Sequence, residues 1–236
     1  NKNVSGLLLN GEKIEADLVL SGADYHHTET LLDKNVRQYS EKYWDKKTFA
    51  PSSLLFYVGF DKKIKNASHH TLFFDTDFDA HAEEIYDNPK WPTDPLFYAN
   101  FTSMTDTTSA PEGKEAGFFL IPLAPGIEDT EALREQYFEK IMDRFEKLTQ
   151  QEVRSSVLFK RSFCVNDFKE EYNSYKGNAY GMANTLLQTA FLRPNIKSSN
   201  VGNLYFTGQL TVPGPGVPPA LISGKLASEL IINKQS

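Results

Sequence analysis

Residues Asn203–Ile232 read NLYFTGQLTVPGPGVPPALISGKLASELII, and this stretch decides how the rest of the chain is understood. Leu204, Tyr205 and Phe206 form a short apolar strand that Gly208 stops. Pro213, Gly214, Pro215 and Gly216 stiffen the loop that follows. Pro218 and Pro219 suit a first helical turn, where a missing N–H costs nothing, so a helix is predicted from about Pro218 to Ile232. Ala220, Gly224 and Ala227 fall at i, i+4 and i+7 and leave one helix face almost without bulk, while Leu226, Leu230 and Ile231 mark another. A helix start with free N–H groups beside glycines suits an electron-rich ligand, either a phosphate or a flavin ring. Neither GxxxxGK[ST] nor GxGxxG is present, and the prolines suggest a fixed platform that aims the N–H of about Val217 at an atom gaining negative charge on reduction. The same pattern also fits an ordinary strand-to-helix connection in an α/β core.

Composition narrows the partners. The chain has 236 residues, 40% hydrophobic and 24% charged, which is ordinary for a globular protein. A net charge of −6 and a pI near 5.4 argue against nucleic acid as a partner. The single cysteine, Cys164, excludes an internal disulfide and points to a reducing, cytoplasmic setting. No apolar run of membrane-spanning length and no targeting segment is visible. Histidines 26–27 and 69–70 are neighbours rather than metal-spaced pairs, His81 stands alone, and all five are expected to be solvated or capping; no metal site is expected.

Asn1–Leu9 and Gly11–Leu20 are predicted as a hairpin around Asn10-Gly11. A helical stretch opens at His26 and carries Leu31, Leu32, Val36, Tyr39, Tyr43 and Trp44. Four runs rich in aromatic and β-branched residues follow, at Leu54–Phe60, Thr71–Asp75, Leu96–Phe101 and Gly117–Ile121, and predict an antiparallel sheet. Phe56, Phe73, Phe74, Phe97, Phe118 and Phe119 are expected in its core. Asp77–Trp91 reads as helical or irregular and acidic, and Thr102–Lys114 as an exposed loop. Glu128–Gln151 is the clearest helix, with Leu133, Tyr137, Ile141, Phe145 and Leu148 on one face and Asp129 or Thr130 as cap. Val153–Phe163 reads as a strand with flanking charges or as a basic, membrane-facing patch.

A resemblance is carried by the C-terminal stretch quoted above and extends upstream through three ordered blocks: Asp167-Phe168, the turn Tyr175–Gly181 and the run Gln188–Pro194 (QTAFLRP). Together they resemble the carotenoid phytoene dehydrogenases, the bacterial and fungal type of phytoene desaturase, within the FAD-dependent amine oxidase-like enzymes. The resemblance implies an α+β C-terminal part of a two-domain flavoprotein. Residues 1–32 and 194–236 would belong to the FAD-binding domain and 33–193 to a substrate domain whose antiparallel sheet floors an apolar cavity. The dinucleotide-binding half, carrying GxGxxG, would lie in the part of a longer enzyme that precedes this one, or on a separate chain. It implies FAD as cofactor, a carotenoid polyene as substrate, hydride removal as chemistry and peripheral contact with a membrane. Gly208, Gln209, Gly216, Val217 and Pro218 are the implied flavin contacts, with Gln209 standing where many related flavoenzymes carry an acidic or small residue. Tyr180 and Arg193 are implied substrate or flavin neighbours, and no catalytic side chain is identified. A carotenoid isomerase, a hydroxycarotenoid desaturase, a retinol saturase-like enzyme or a non-catalytic lipid-binding module would share these features.

Overall fold

The computed structural model describes residues 2–235, so the first residue of the expected hairpin and the last residue of the chain lie outside the described residues. Its elements are β1 (Gly6–Leu9), β2 (Glu12–Glu15), β3 (Val19–Ser21), α1 (Tyr25–Thr30), α2 (Glu41–Asp45), β4 (Ser52–Phe60), β5 (His70–Phe73) and α3 (Phe78–Tyr86), followed by β6 (Phe97–Asn100), β7 (Glu115–Leu123), α4 (Glu131–Thr149), β8 (Val157–Phe163), α5 (Val165–Tyr172), β9 (Leu204–Phe206) and α6 (Val217–Gln235). The class is α+β. Two compact units form, one from residues up to Ala50 together with those from Lys169 onward, the other from Pro51–Phe168. Residues 33–50 and 169–193, expected with the middle of the chain, therefore cluster with the terminal segments. Their aromatic side chains explain this: Tyr39, Tyr43 and Tyr175 pack with Tyr25, Trp44, Phe49, Leu204 and Phe206 in one apolar cluster.

In the discontinuous unit, β1 and β2 pair antiparallel around Asn10 and Gly11, both at positive φ (52° and 86°), as the Asn-Gly turn requires. The second strand ends sooner than its sequence suggests. Val19–Ser21 leaves the hairpin and pairs parallel with Leu204–Phe206, because Asn203 receives the Val4 N–H on Oδ1 and donates Nδ2 to the Val4 and Asp17 carbonyls. The helical stretch after Asp24 is also broken, into α1, a single turn at Lys34–Val36, and α2. Asp24 and Ser40 each cap a separate helix start, and buried Glu29 takes the Gln38 and Tyr39 N–H groups that a continuous helix would have used internally. Burial raises the Glu29 pKa above the ordinary carboxylate value.

The continuous unit is a five-stranded antiparallel sheet in the order β5-β6-β7-β4-β8. All four expected runs are strands, and the fifth is Val157–Phe163, which settles that segment as a strand at the sheet edge. Alternation divides the sheet cleanly. One face, with Leu54, Phe56, Val58, Phe60, Phe119 and Ile121, is covered by Phe138, Ile141, Met142 and Phe145 of α4. The Thr130 Oγ1 caps α4 by accepting the Leu133 N–H. Leu148, expected on the core face, is 45% exposed, and Thr149 takes the buried place instead. The other face presents Leu55, Tyr57, Phe118, Leu120, Tyr98 and Leu72, which pair directly across strands. Phe118 thus leaves the core, as does Phe74, which is 59% exposed beyond the end of β5. His81 is buried rather than solvated: its Nδ1 accepts the Leu96 N–H and its Nε2–H donates to the Pro122 carbonyl, and burial lowers its pKa.

Candidate cofactor site

The strand–loop–helix of the C-terminal stretch is present, with α6 beginning at Val217. Gly208, Gly214 and Gly216 lie at φ of +105°, +129° and +115°, a region that side-chain-bearing residues rarely adopt. A Cβ on Gly208 would meet nothing, so the space above it is open, whereas one on Gly214 would lie 3.3 Å from Arg193 Cζ. The loop is anchored to the helix behind it. Ser223 Oγ accepts the Gly208 N–H at 2.8 Å, is bonded to Thr207 Oγ1 at 2.7 Å, and donates to the Ala220 carbonyl at 2.6 Å. Ser223 and Ala227 are buried, and Gly224 faces Thr207, which is why the small-residue face recurs at that spacing.

The helix start offers fewer donors than a generic one. Pro218 and Pro219 have no N–H, and the Ala220 N–H is spent on the Gly216 carbonyl at 2.9 Å. Val217 supplies the remaining N–H of this turn, for which no hydrogen bond is found among the described residues, together with the positive end of a helix that runs to Gln235.

The Tyr175–Gly181 turn and the Gln188–Pro194 run meet the C-terminal stretch here, whereas Asp167-Phe168 belong to the other unit, where Asp167 pairs with Arg134. Arg193 is 2% exposed and spends its guanidinium entirely on the protein. Nε donates to the Thr211 carbonyl at 2.9 Å and Nη2 to the Gln209 carbonyl at 2.8 Å, while Nη1 reaches Asn184 Oδ1 and the Gln188 carbonyl at 3.0 Å each. Weaker bonds run from both terminal nitrogens to the Met182 carbonyl. A guanidinium has five N–H groups, so none is left for a substrate. This corrects the expectation that Arg193 touches substrate: its burial and saturation make it a clamp between residues 182–188 and 209–211. Gly181, at φ +80°, lets the first of these segments approach the second, because a Cβ there would come within 3.1 Å of the Gln209 backbone. Gln209 therefore has its carbonyl fixed by Arg193 while its side chain is half-buried. Tyr180 is 44% exposed beside this junction. Burial without a carboxylate partner lowers the Arg193 pKa from its ordinary value.

Three features escaped the sequence reading: the Asn184 and Gln188 contributions, the Ser223 anchor, and the saturation of Arg193. Only Ser223 left a signal, since it is a polar residue next to Gly224 on an otherwise small face. Among the described residues, no group of histidine, cysteine and carboxylate side chains could hold a metal, and no helix is long and apolar enough to cross a membrane.

Over 225 residues, 95% of its length, the chain is 44% identical to a carotenoid 3,4-desaturase of Haloarcula japonica, covering 46% of that protein. It is 31% identical over 226 residues to a zeta-carotene-forming phytoene desaturase of Myxococcus xanthus, covering 94% of this chain and 43% of the relative. Over nearly its whole length the chain is thus similar to carotenoid desaturases. It spans about half the length of the curated relatives it matches. No family model matches. An oxidoreductase from Methanosarcina mazei shares the fold, with a TM-score of 0.59 at 15% identity, over 96% of this chain and 46% of the other.

Proposed function

We propose that the chain is the C-terminal part of an FAD-dependent desaturase that acts on phytoene or a related carotenoid polyene. The observation that carries this reading is the convergence of the Tyr175–Gly181 turn, through Gly181, and of the Gln188–Pro194 run, through Arg193, on the C-terminal loop. Gly208 leaves its surface open, Gly214 lets it lie close on Arg193, which holds it from behind, and Val217 beside Gly216 offers it an N–H. These residues fit a flavin, because a cradle that any Cβ would strain, with one aimed donor and a helix dipole, suits a planar ring that becomes electron-rich. Bound FAD would supply the hydride acceptor that no side chain can be. Gly208 and Gln209 would approach the ribityl-pyrophosphate region, and Gly216, Val217 and Pro218 would place the helix start at the pyrimidine end of the ring. Tyr180, half-exposed beside the clamp, is the side chain proposed to reach toward substrate.

For the substrate, support comes from the sheet face opposite the core. Leu55, Tyr57, Phe118 and Leu120 form contiguous cross-strand pairs on the face opposite the α4-covered core, with Tyr57 44% exposed and the other three part-buried, a surface suited to an extended apolar chain. Residues 33–193 were expected to form the substrate domain; Pro51–Phe168 is the part of them that folds as one unit, and it is proposed for that role. The terminal segments, with residues 33–50 and 169–193, are proposed to complete the FAD-binding domain. Leu8, Leu221 and Phe191 are 78%, 73% and 87% exposed there, and a missing dinucleotide-binding half is proposed to cover such side chains. Peripheral membrane contact at the β8 edge, where Leu158 and Phe159 are exposed, is proposed as the route by which a lipid-soluble substrate enters.

The test uses the full-length protein. Flavin released by heat is quantified for wild type and for Gly216→Leu, which forces a branched side chain into a φ of +115°. Near-stoichiometric FAD in wild type and loss of it in the variant, with thermal stability kept, is expected. A wild type that binds carotenoid but no FAD, even with excess cofactor, would replace this reading with a lipid-binding module.

A further inference from the structure

The clamp accounts for the hydrogen bonds of Arg193 but not for its charge. A buried cation is costly without a counter-ion, and among the described residues no carboxylate pairs with this one; its partners are four backbone carbonyls and the amide oxygen of Asn184. The guanidinium lies directly behind the loop, with Cζ 3.3 Å from the position a Gly214 Cβ would occupy. The α6 start adds positive potential on the same segment. Arg193 is 2% exposed, so its charge is little screened by water, whereas the α6 start is open to solvent at Gly216 and Val217 and adds the weaker field.

We propose that Arg193 is a positioning residue that also sets redox poise: its unpaired buried charge, held under the Gln209–Gly214 loop, favours the reduced, negatively charged form of the flavin bound there. This rests on the flavoprotein reading above. The charge acts through space across the loop, so Arg193 touches neither cofactor nor substrate. Its carbonyl contacts keep both the charge and the loop in place, which is why a saturated guanidinium is compatible with the role.

The decisive variant is Asn184→Asp in the full-length holoenzyme. Asn184 Oδ1 already accepts from Arg193 Nη1 at 3.0 Å, so the substitution keeps the clamp and its shape but supplies a counter-charge. The flavin midpoint potential is measured by anaerobic titration against a reference dye, with flavin content and thermal midpoint measured alongside. The expected result is a preference for reduced over oxidised flavin weakened about tenfold, a shift of about 30 mV to more negative potential for two electrons, at unchanged flavin content. Arg193→Lys, which keeps the charge but cannot fill five acceptor positions, is expected to lower the thermal midpoint and hold the potential of whatever flavin it retains. An unchanged potential in Asn184→Asp overturns the inference and leaves Arg193 a clamp alone, even if Arg193→Lys does not fold. A wild type without flavin overturns the flavoprotein reading and this inference together, whereas bound flavin with unmoved potential overturns only the latter.

Discussion

Replacing Arg134 by methionine tests how the edge of the β4-to-β8 sheet is held. Arg134 sits 11% exposed against an Asp129 carboxylate that is fully buried. Nε and Nη2 form a two-pronged pair with Asp129 at 2.7 Å each, Nη2 also meets Asp167 at 2.7 Å, and Nη1 reaches Ser162 Oγ on β8 at 3.2 Å. Methionine fills much of the volume but leaves Asp129 charged, with the Asn166 N–H at 2.8 Å as its main remaining support. Breaking one side of a buried pair costs about 3 to 5 kcal/mol. With a urea dependence of about 1.5 kcal/mol per molar for a domain of this size, the unfolding midpoint of the Pro51–Phe168 unit should fall by about 2 to 3 M. Far-ultraviolet circular dichroism and tryptophan fluorescence in urea report it. Asp129→Asn combined with Arg134→Met should recover part of the loss, giving a coupling of about 1 to 3 kcal/mol. Desolvation pushes the Asp129 pKa up, but bonds from Arg134 and Asn166 outweigh it and hold the carboxyl below its ordinary 3.8. A depressed folded-state pKa means that the pair's contribution is complete above about pH 4 and is lost as pH falls through the lower, folded value. A loss below about 1 kcal/mol at pH 7, or strict additivity in the double variant, would refute the argument.

Burial lowers the His81 pKa from its ordinary 6.5, so the neutral ring stabilises the fold above pH 6.5 and that contribution declines as pH falls toward the folded-state value. His81→Gln, able to accept from Leu96 N–H and donate to the Pro122 carbonyl, should flatten this part of a stability-versus-pH curve measured between pH 5 and about 7.5. Phe145→Ala removes a fully buried ring that packs against Phe73, Phe101 and Phe119, and should cost about 3 to 5 kcal/mol in urea unfolding. On the opposite sheet face, Tyr57→Ser with Phe118→Ser should reduce polyene binding by the full-length protein, read by fluorescence quenching, while shifting stability far less than Phe145→Ala, because both rings are partly solvated. Equal stability losses would mean that this face is closed core rather than a binding surface.

Much of the local structure was legible in residue order. Asn10-Gly11 specified its turn because both positions need positive φ, and Thr130 capped α4 because a hydroxyl there reaches a free N–H. Proline and glycine spacing located the strand–loop–helix to within a residue at its start, since these residues constrain backbone angles regardless of context. The four aromatic runs became strands because short apolar segments dense in aromatic and β-branched residues, bounded by polar turns, suit a pleated sheet.

What residue order could not decide was partnership across long separations. Val19–Ser21 reads as the end of a hairpin, yet it pairs with a strand some 185 residues later because Asn203 ties Val4 and Asp17 to that strand. Phe118 and Phe119 are equally apolar, and only the register against Tyr57 and Phe56 sends one to the open face and the other into the core. Arg193 looks like a ligand-binding cation in sequence; its five donors are consumed by carbonyls from two other segments, a fact that exists only once those segments are folded together. Backbone angles, turns and caps are local energies and are written in neighbouring residues. Register, burial and the saturation of a charged group depend on which distant atoms arrive, and the tertiary structure alone decides them.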